Sequence, residues 1–525
     1  MQQIYYNGSV VTMRDDCPAA EAVLTENGRI AAVGTEESLR AQAPQAGLID
    51  LEGGALLPAF LDSHGHFMGA ANALLEVPLG EAASLDDIAR QLRTFIDTSG
   101  KRPGEWIVAD GYDHTALAEK RHPDRRLLDT VSSVHPIVLK HKSGHLGVMN
   151  SAALAALGIT AQTQPPEGGA IGVENGELTG YLEETAFVGA RQRTPMPDMD
   201  ELTQAITKTQ QTYAAHGITT AQEGMMVAAL APLYRAYMDA FGFYLDMVVY
   251  PSPADMRQVL SALPGLGRDY ERNVRLGGYK IFLDGTPQGK TAWVTKPYLN
   301  SGGHCGTQIM QDADVLGALE LAASERMQIL AHCNGDAAAG QYLRALSEAE
   351  KRMPALAALR PVMIHAQLLR PDQLPEVRRL SVIPSFFAAH VYYWGDVHEK
   401  NFGNARAQRI SPARSALENG VVFTLHQDAP VVAPNMLETV WCAVNRVTRS
   451  GRRFAENIDV WNALKAVTIH AAYQYHEEAQ KGSIAAGKRA DFVLLDRNPL
   501  AVKPEDLQSI RVLQTIKGGE RIYAS

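Results

Sequence analysis

Short β-type runs open the chain: QIYYNGSVVTM, EAVLTENGRIAAVG and LIDLEGGALLP, all within residues 2–57 and separated by Gly and Asn turns, with no helix expected among them. The same texture returns in GSIAAGKRADFVLLD and VLQTIKGGERIY, so the two ends are expected to pair into one small β-domain. Between them lie eight apolar strand candidates, LLPAFLDSH, GITTAQEG, FYLDMVVYP, LGGYKIFLDG, QILAHCNG, PVMIHAQ, LSVIPSF and VVFTLHQDAP. Amphipathic segments of helical length, such as DVLGALELAASERM and GQYLRALSEAE, alternate with them. Strand and helix in alternation are the mark of a parallel sheet built from β-α units, and eight units predict an α/β fold of the TIM (β/α)8 barrel type. The first two strands are separated by about 140 residues where a β-α connection is normally short, so an inserted mixed α/β subdomain is expected at about 70–210.

Composition narrows the functions. The 525 residues carry 49 Lys+Arg against 58 Asp+Glu, a formal charge of -9 without a basic stripe, which argues against nucleic acid as a partner. No run approaches the ~18 apolar residues of a membrane span, so no membrane partner is expected. Cys17, Cys305, Cys333 and Cys442 form no CxxC pair, which suits a reducing, cytoplasmic setting. MQQIYYNGSVVTM lacks a basic stretch followed by an apolar one, and residue 1 is read as the mature start. GTPQGKT has three residues between its glycines where a phosphate loop needs four, so nucleotide binding is set aside.

The chemistry gathers at the strand ends. His64 and His66 of LDSHGHF stand at i and i+2, on one face of a strand, where two imidazoles can share a metal. An isolated HxH arises by chance in many proteins, but His332, His365 and Asp428 also fall at the carboxyl ends of expected strands, where barrel enzymes build their sites. Lys280 sits within GGYKIFLDG. Its plainest reading is an ammonium paired with Asp284; beside metal-ligating histidines, a carbamate formed with carbon dioxide makes better electrostatic sense.

In this order, HxH on the first strand, Lys on the fourth, His on the fifth and sixth and Asp on the eighth, the chain resembles the amidohydrolase superfamily of metal-dependent hydrolases. SGHLGVMNSAAL, GELTGYLEETA, YKIFLDGTPQGKTA and GSIAAGKRADFVLLDRNPL resemble more narrowly its family 3, the branch of YtcJ-like proteins and N-substituted formamide deformylases. The resemblance implies a composite β-sandwich from residues 1–57 and 480–525 capping a barrel of residues 58–479. It also implies one or two divalent ions, Zn²⁺ by preference, on His64, His66, Lys280 as a carbamate, His332, His365 and Asp428. Asp428 would shuttle protons, and His145 in KSGHLG would reach the substrate carbonyl from the insertion.

Two positions depart from that pattern. Ile364 stands where relatives commonly carry an acid before the histidine of IHAQ, and His426 replaces a small residue in HQDAP. His426 is read as a donor behind the ligands, a substrate contact or an additional ligand, in that order. Asp284, Tyr112, Asp113 and Trp394 are the remaining candidates for supporting or lining the pocket. The function expected is hydrolysis of a non-peptide C–N bond in a small N-substituted amide or formamide. Cleavage of a cyclic amide or imide, and a catalytically weak metabolite-binding regulator, are the alternatives. A small-molecule amide is the expected partner, and a homodimer the assembly considered.

Overall fold

The computed structural model describes residues 2–142, 146–195 and 197–525, so the His145 assignment lies outside the described residues. The chain divides into two compact units, Met1–Met68 with Thr209–Ser525, and Gly69–Lys208.

Within the first unit, the two ends of the chain meet in one sheet. Ala55–Pro58 pairs antiparallel with Phe492–Leu495, and Ser9–Val11 runs parallel beside it. A second sheet, of four strands, joins Gln2–Tyr6, Ala22–Glu26, Arg29–Gly34 and Gly47–Asp50. Tyr5, Val23, Leu56, Phe492 and Ile516 bury themselves in one apolar cluster, drawing on both sheets and both chain ends. The N-terminal region differs from expectation in holding a helix, Glu36–Gln42, started by Thr35, whose hydroxyl accepts from Ser38 N at 3.2 Å. Only Leu39 of this short polar helix is buried, so it carries almost no apolar period to read.

The remaining strands of this unit form two parallel arcs. One orders Phe60–Leu61, Ile218–Met226, Asp246–Pro251 and Val274–Leu276 side by side. The other runs Gly278–Phe282, Gln328–Cys333, Val362–His365, Ile383–Phe386 and Thr424–Leu425. Two strands expected to be continuous are divided. Pro58 ends the terminal-sheet strand, so LLPAFLDSH serves two sheets in turn. The arcs break at Gly277, where a Cβ would stand 2.3 Å from the Tyr250 ring, so only glycine passes. Leu61, Val248, Leu330, Val362 and Ile383 from both arcs share one core with Ala471, Ala472 and Tyr475. Among the described residues, no helix is long and apolar enough to cross a membrane.

The Gly69–Lys208 unit has a six-stranded mixed sheet ordered Gly169–Glu174, Glu177–Glu184, Leu146–Met149, Ile137–His141, Ile107–Tyr112, Glu76–Pro78. Helix Leu85–Ser99, capped by Ser84, buries Leu85, Ile88, Ala89 and Leu92 at the i, i+3, i+4, i+7 spacing of an amphipathic face.

Candidate metal centre

The parallel arcs bring six of the sequence candidates to their carboxyl ends: His64, His66, Lys280, His332, His365 and Asp428. Asp428 is the hub. Its Oδ1 is 3.7 Å from His64 Nε2 and 3.5 Å from His66 Nε2, and its Oδ2 is 3.8 Å from His365 Nε2. These separations exceed hydrogen bonds, and Oδ1 is buried without a hydrogen-bond partner. An orphaned carboxylate oxygen ringed by imidazole nitrogens fits a site built to share a cation. His365 (φ 71°) and Asp428 (φ 58°) both hold left-handed backbone, a conformation that costs of order 1 kcal/mol and persists where surrounding structure enforces it.

Hydrogen bonds behind three of the histidines fix which ring nitrogen faces inward. The Gln222 amide donates from Nε2 to Ser63 O at 3.0 Å, which turns Oε1 toward His64 Nδ1 at 2.6 Å. A carbonyl oxygen only accepts, so His64 carries its proton on Nδ1 and presents a bare Nε2. Asp284 Oδ1, 3.2 Å from His332 Nδ1, does the same there.

His365 is set by a longer chain. Ser63 Oγ donates to Leu425 O at 3.0 Å, so the Ser385 hydroxyl, 3.2 Å away, must donate to Ser63. His426 Nδ1, 2.8 Å from Ser385 Oγ, must then be a donor, leaving His426 Nε2 to accept from His365 Nδ1 at 3.1 Å. His426 is therefore an acceptor toward His365. All three tautomers follow from acceptors that cannot donate, and each leaves Nε2 without a proton, the usual arrangement behind metal-bound histidines.

Burial drives His64, His365 and His426 well below the ordinary imidazole range, so their contacts with Asp428 and with one another are those of neutral rings. Burial also lowers the Lys280 ammonium to about 7. Lys280 Nζ is fully buried and lies 3.1 Å from His64 Nε2. The pairing of Lys280 with Asp284 does not form, because Asp284 faces elsewhere: it accepts from Trp293 N at 3.0 Å, Asn334 N at 2.9 Å and Gly335 N at 2.6 Å.

Ile364 lies opposite His332 in the strand ladder and packs into the core beneath the site with Leu61, Val248 and Leu330. From His426 an aromatic row leads outward through Phe387 (5.3 Å between ring centroids) to Trp394 (6.2 Å), with His390 4.6 Å from Trp394. Tyr112 and Asp113 belong to the Gly69–Lys208 unit, where Tyr112 OH is 3.0 Å from His122 Nδ1 and Asp113 ion-pairs with Lys142.

Sequence reasoning missed Gln222, Glu223, Asn334, Ser63 and Ser385. Glu223 accepts from Met68 N at 2.8 Å and faces His66 Nδ1 at 3.8 Å, and Asn334 Nδ2 is 3.3 Å from His332 Nε2. The signal available was polar residues at strand ends, such as the QE of GITTAQEG.

A parallel-strand scaffold with a histidine–aspartate centre at its carboxyl ends defines a class of hydrolases, and the chain belongs to the amidohydrolase family, whose model matches residues 47–523. These are enzymes acting on carbon–nitrogen bonds. Residues 22–46 match the imidazolonepropionase-like composite domain of bacteria. Putative amidohydrolase YtcJ of Bacillus subtilis (strain 168) is 27% identical over 100% of this chain and 99% of its own length. The N-substituted formamide deformylase of Arthrobacter pascens is 29% identical over 98% and 97%. Among solved structures, an uncharacterized metal-dependent hydrolase from Pyrococcus furiosus superposes with a TM-score of 0.76 at 24% identity, over 95% of this chain and 100% of that one.

Proposed function

We propose that the chain is a metal-dependent hydrolase that cleaves the C–N bond of a small N-substituted amide or formamide. The observation that carries this reading is the shared tautomer of His64, His332 and His365, each with Nδ1 bonded to an acceptor and an unprotonated Nε2, which in His64 and His365 lies beside Asp428. Those three histidines, with His66, Lys280 as its carbamate, and Asp428, would hold one or two ions. A bound Zn²⁺ brings the pKa of a coordinated water toward about 7 and polarises a carbonyl. Among the described residues no carboxylate is bonded to the buried Lys280 amine, whose neighbour is His64 Nε2, and with carbon dioxide it forms the carbamate and a proton.

The Asp428 carboxylate is the base in this reading: it takes a proton from the attacking water and returns it to the departing nitrogen. Addition of water across the C–N bond then yields the carboxylate, formate for a formamide, and the amine. The row of Phe387, His390 and Trp394 offers an apolar wall for an N-substituent, and the formamide deformylase among the relatives supports the same substrate class.

The two arcs are read as one (β/α)8 barrel over residues 58–479, interrupted at about 70–210, with residues 1–57 and 480–525 forming the composite β-sandwich. In support, Asp428 N donates to His64 O at 3.3 Å and Ser63 Oγ to Leu425 O, tying the last strand's end to the first's. Four free cysteines suit the cytoplasm as compartment.

The test is a panel of N-substituted formamides, simple amides, lactams and esters, assayed with and without a chelator. Amine release from formamides, lost on chelation and restored by Zn²⁺, supports the proposal. Ring opening alone moves the substrate to cyclic amides, and no turnover with metal bound would leave the regulator.

A further inference from the structure

The Gly69–Lys208 unit holds a second gathering of imidazoles, and its sheet is the cause. The Ile107–Tyr112 and Ile137–His141 strands run parallel with Tyr112 opposite His141, so they end side by side, and the chain leaves the first of them through Asp113 and His114. His114 Nδ1 lies 3.2 Å from His141 Nε2, and His141 Nε2 lies 3.9 Å from Asp113 Oδ1. One ligand atom from each of the three residues falls within 4.8 Å of the others.

Two metal–nitrogen bonds of about 2.0–2.1 Å, opened to a tetrahedral angle, place their nitrogens about 3.3–3.4 Å apart, so the imidazole pair already stands near ligand spacing. The His114 ring is steadied from behind. His122 stacks on it with centroids 3.9 Å apart and planes 27° from parallel, and the Tyr112 hydroxyl is 3.0 Å from His122 Nδ1. Lys142 ion-pairs with Asp113 through a side chain that is 58% exposed, so its ammonium can swing into water as a dication takes its place.

We propose that Asp113, His114 and His141 form a second divalent-cation site, of the two-histidine, one-carboxylate type, sharing no residue with the centre around Asp428. That donor mixture suits Zn²⁺, Co²⁺ or Fe²⁺ and leaves coordination positions open for water or an exchangeable anionic ligand. Asp113 is then a ligand in its own right.

The experiment counts metal in the full-length chain, stripped with a chelator and reloaded with Co²⁺. His114→Gln and His141→Gln, made separately, should each bind about one Co²⁺ fewer per chain than the unaltered protein, since an amide replaces an imidazole that suits Co²⁺ and the remaining pair holds the ion only weakly. Equal counts overturn the proposal. Should either variant fail to fold, the unaltered protein answers instead. Diethylpyrocarbonate labelling of His114, mapped by mass spectrometry, should fall when Co²⁺ is added, and labelling that Co²⁺ does not change overturns the site.

Discussion

Replacing Gln222 with leucine removes one hydrogen-bond acceptor and little volume, and its effect should concentrate on His64. The amide's other partners survive without it: Ser63 O still accepts from Gln474 Nε2 at 2.7 Å, and the Tyr475 hydroxyl still donates to Asp62 O. His64 Nδ1 has no such reserve, being fully buried with Gln222 Oε1 at 2.6 Å as its partner. Leaving that N–H unsatisfied costs about 1–3 kcal/mol, and the ring can escape the penalty by moving its proton or turning, either of which spoils Nε2 as a ligand. Removal of a partner behind a metal ligand weakens affinity about 10–100-fold, which corresponds to about 1.4–2.7 kcal/mol and agrees with the hydrogen-bond figure. Competition against a chromophoric chelator measures the dissociation constant directly. Turnover at saturating metal should change far less than affinity. A Gln222→Leu protein that folds and binds metal within about threefold of the unaltered chain would refute the tautomer argument.

Three further outcomes are expected. Asp428→Asn should retain most of its metal and lose on the order of 10² to 10⁴ in turnover, as removal of a general acid or base does; near-normal turnover would move the proton shuttle elsewhere. Lys280→Ala should lose activity and part of its metal, with acetate or formate restoring some of both in place of the carbamate, whereas full metal and activity in that variant would exclude a bridging role. Burial alone would raise the Asp246 carboxyl, but Lys481 at 2.5 Å, Lys517 at 2.8 Å and Arg489 at 2.8 Å hold it well below the ordinary carboxylate range. A depressed folded pKa gives stability that is present above the unfolded value of about 3.9 and is lost as pH falls below it, so Asp246→Asn should flatten the decline of unfolding free energy below about pH 4, and an unchanged slope would contradict this.

The candidate ligands were legible because their chemistry is tied to period and position. HxH places both rings on one strand face, and His332, His365 and Asp428 each close an apolar run whose end is unmistakable. The side chains that orient them were not. Gln222 and Ser385 are ordinary polar residues in strands and Ser63 one just past a strand end, and their roles come from partners 158 and 322 positions away that only the folded sheet supplies. The direction of the His426 hydrogen bond was equally hidden, since it is imposed by the Leu425 carbonyl two hydroxyls beyond it. Alternating strand and helix texture marked the parallel arcs, while the division at Gly277 depended on the Tyr250 ring of a neighbouring strand. The Glu36–Gln42 helix escaped because a single buried leucine makes no pattern.

The most direct test of the central claim is anomalous diffraction at the zinc edge from crystals of the protein reloaded with Zn²⁺. The account predicts an anomalous peak about 2.0–2.2 Å from His64 Nε2, His66 Nε2 and an Asp428 carboxylate oxygen, the bond lengths of zinc to imidazole and carboxylate. Ordered density for these three side chains with no peak among them, in a crystal that holds zinc elsewhere, would contradict it.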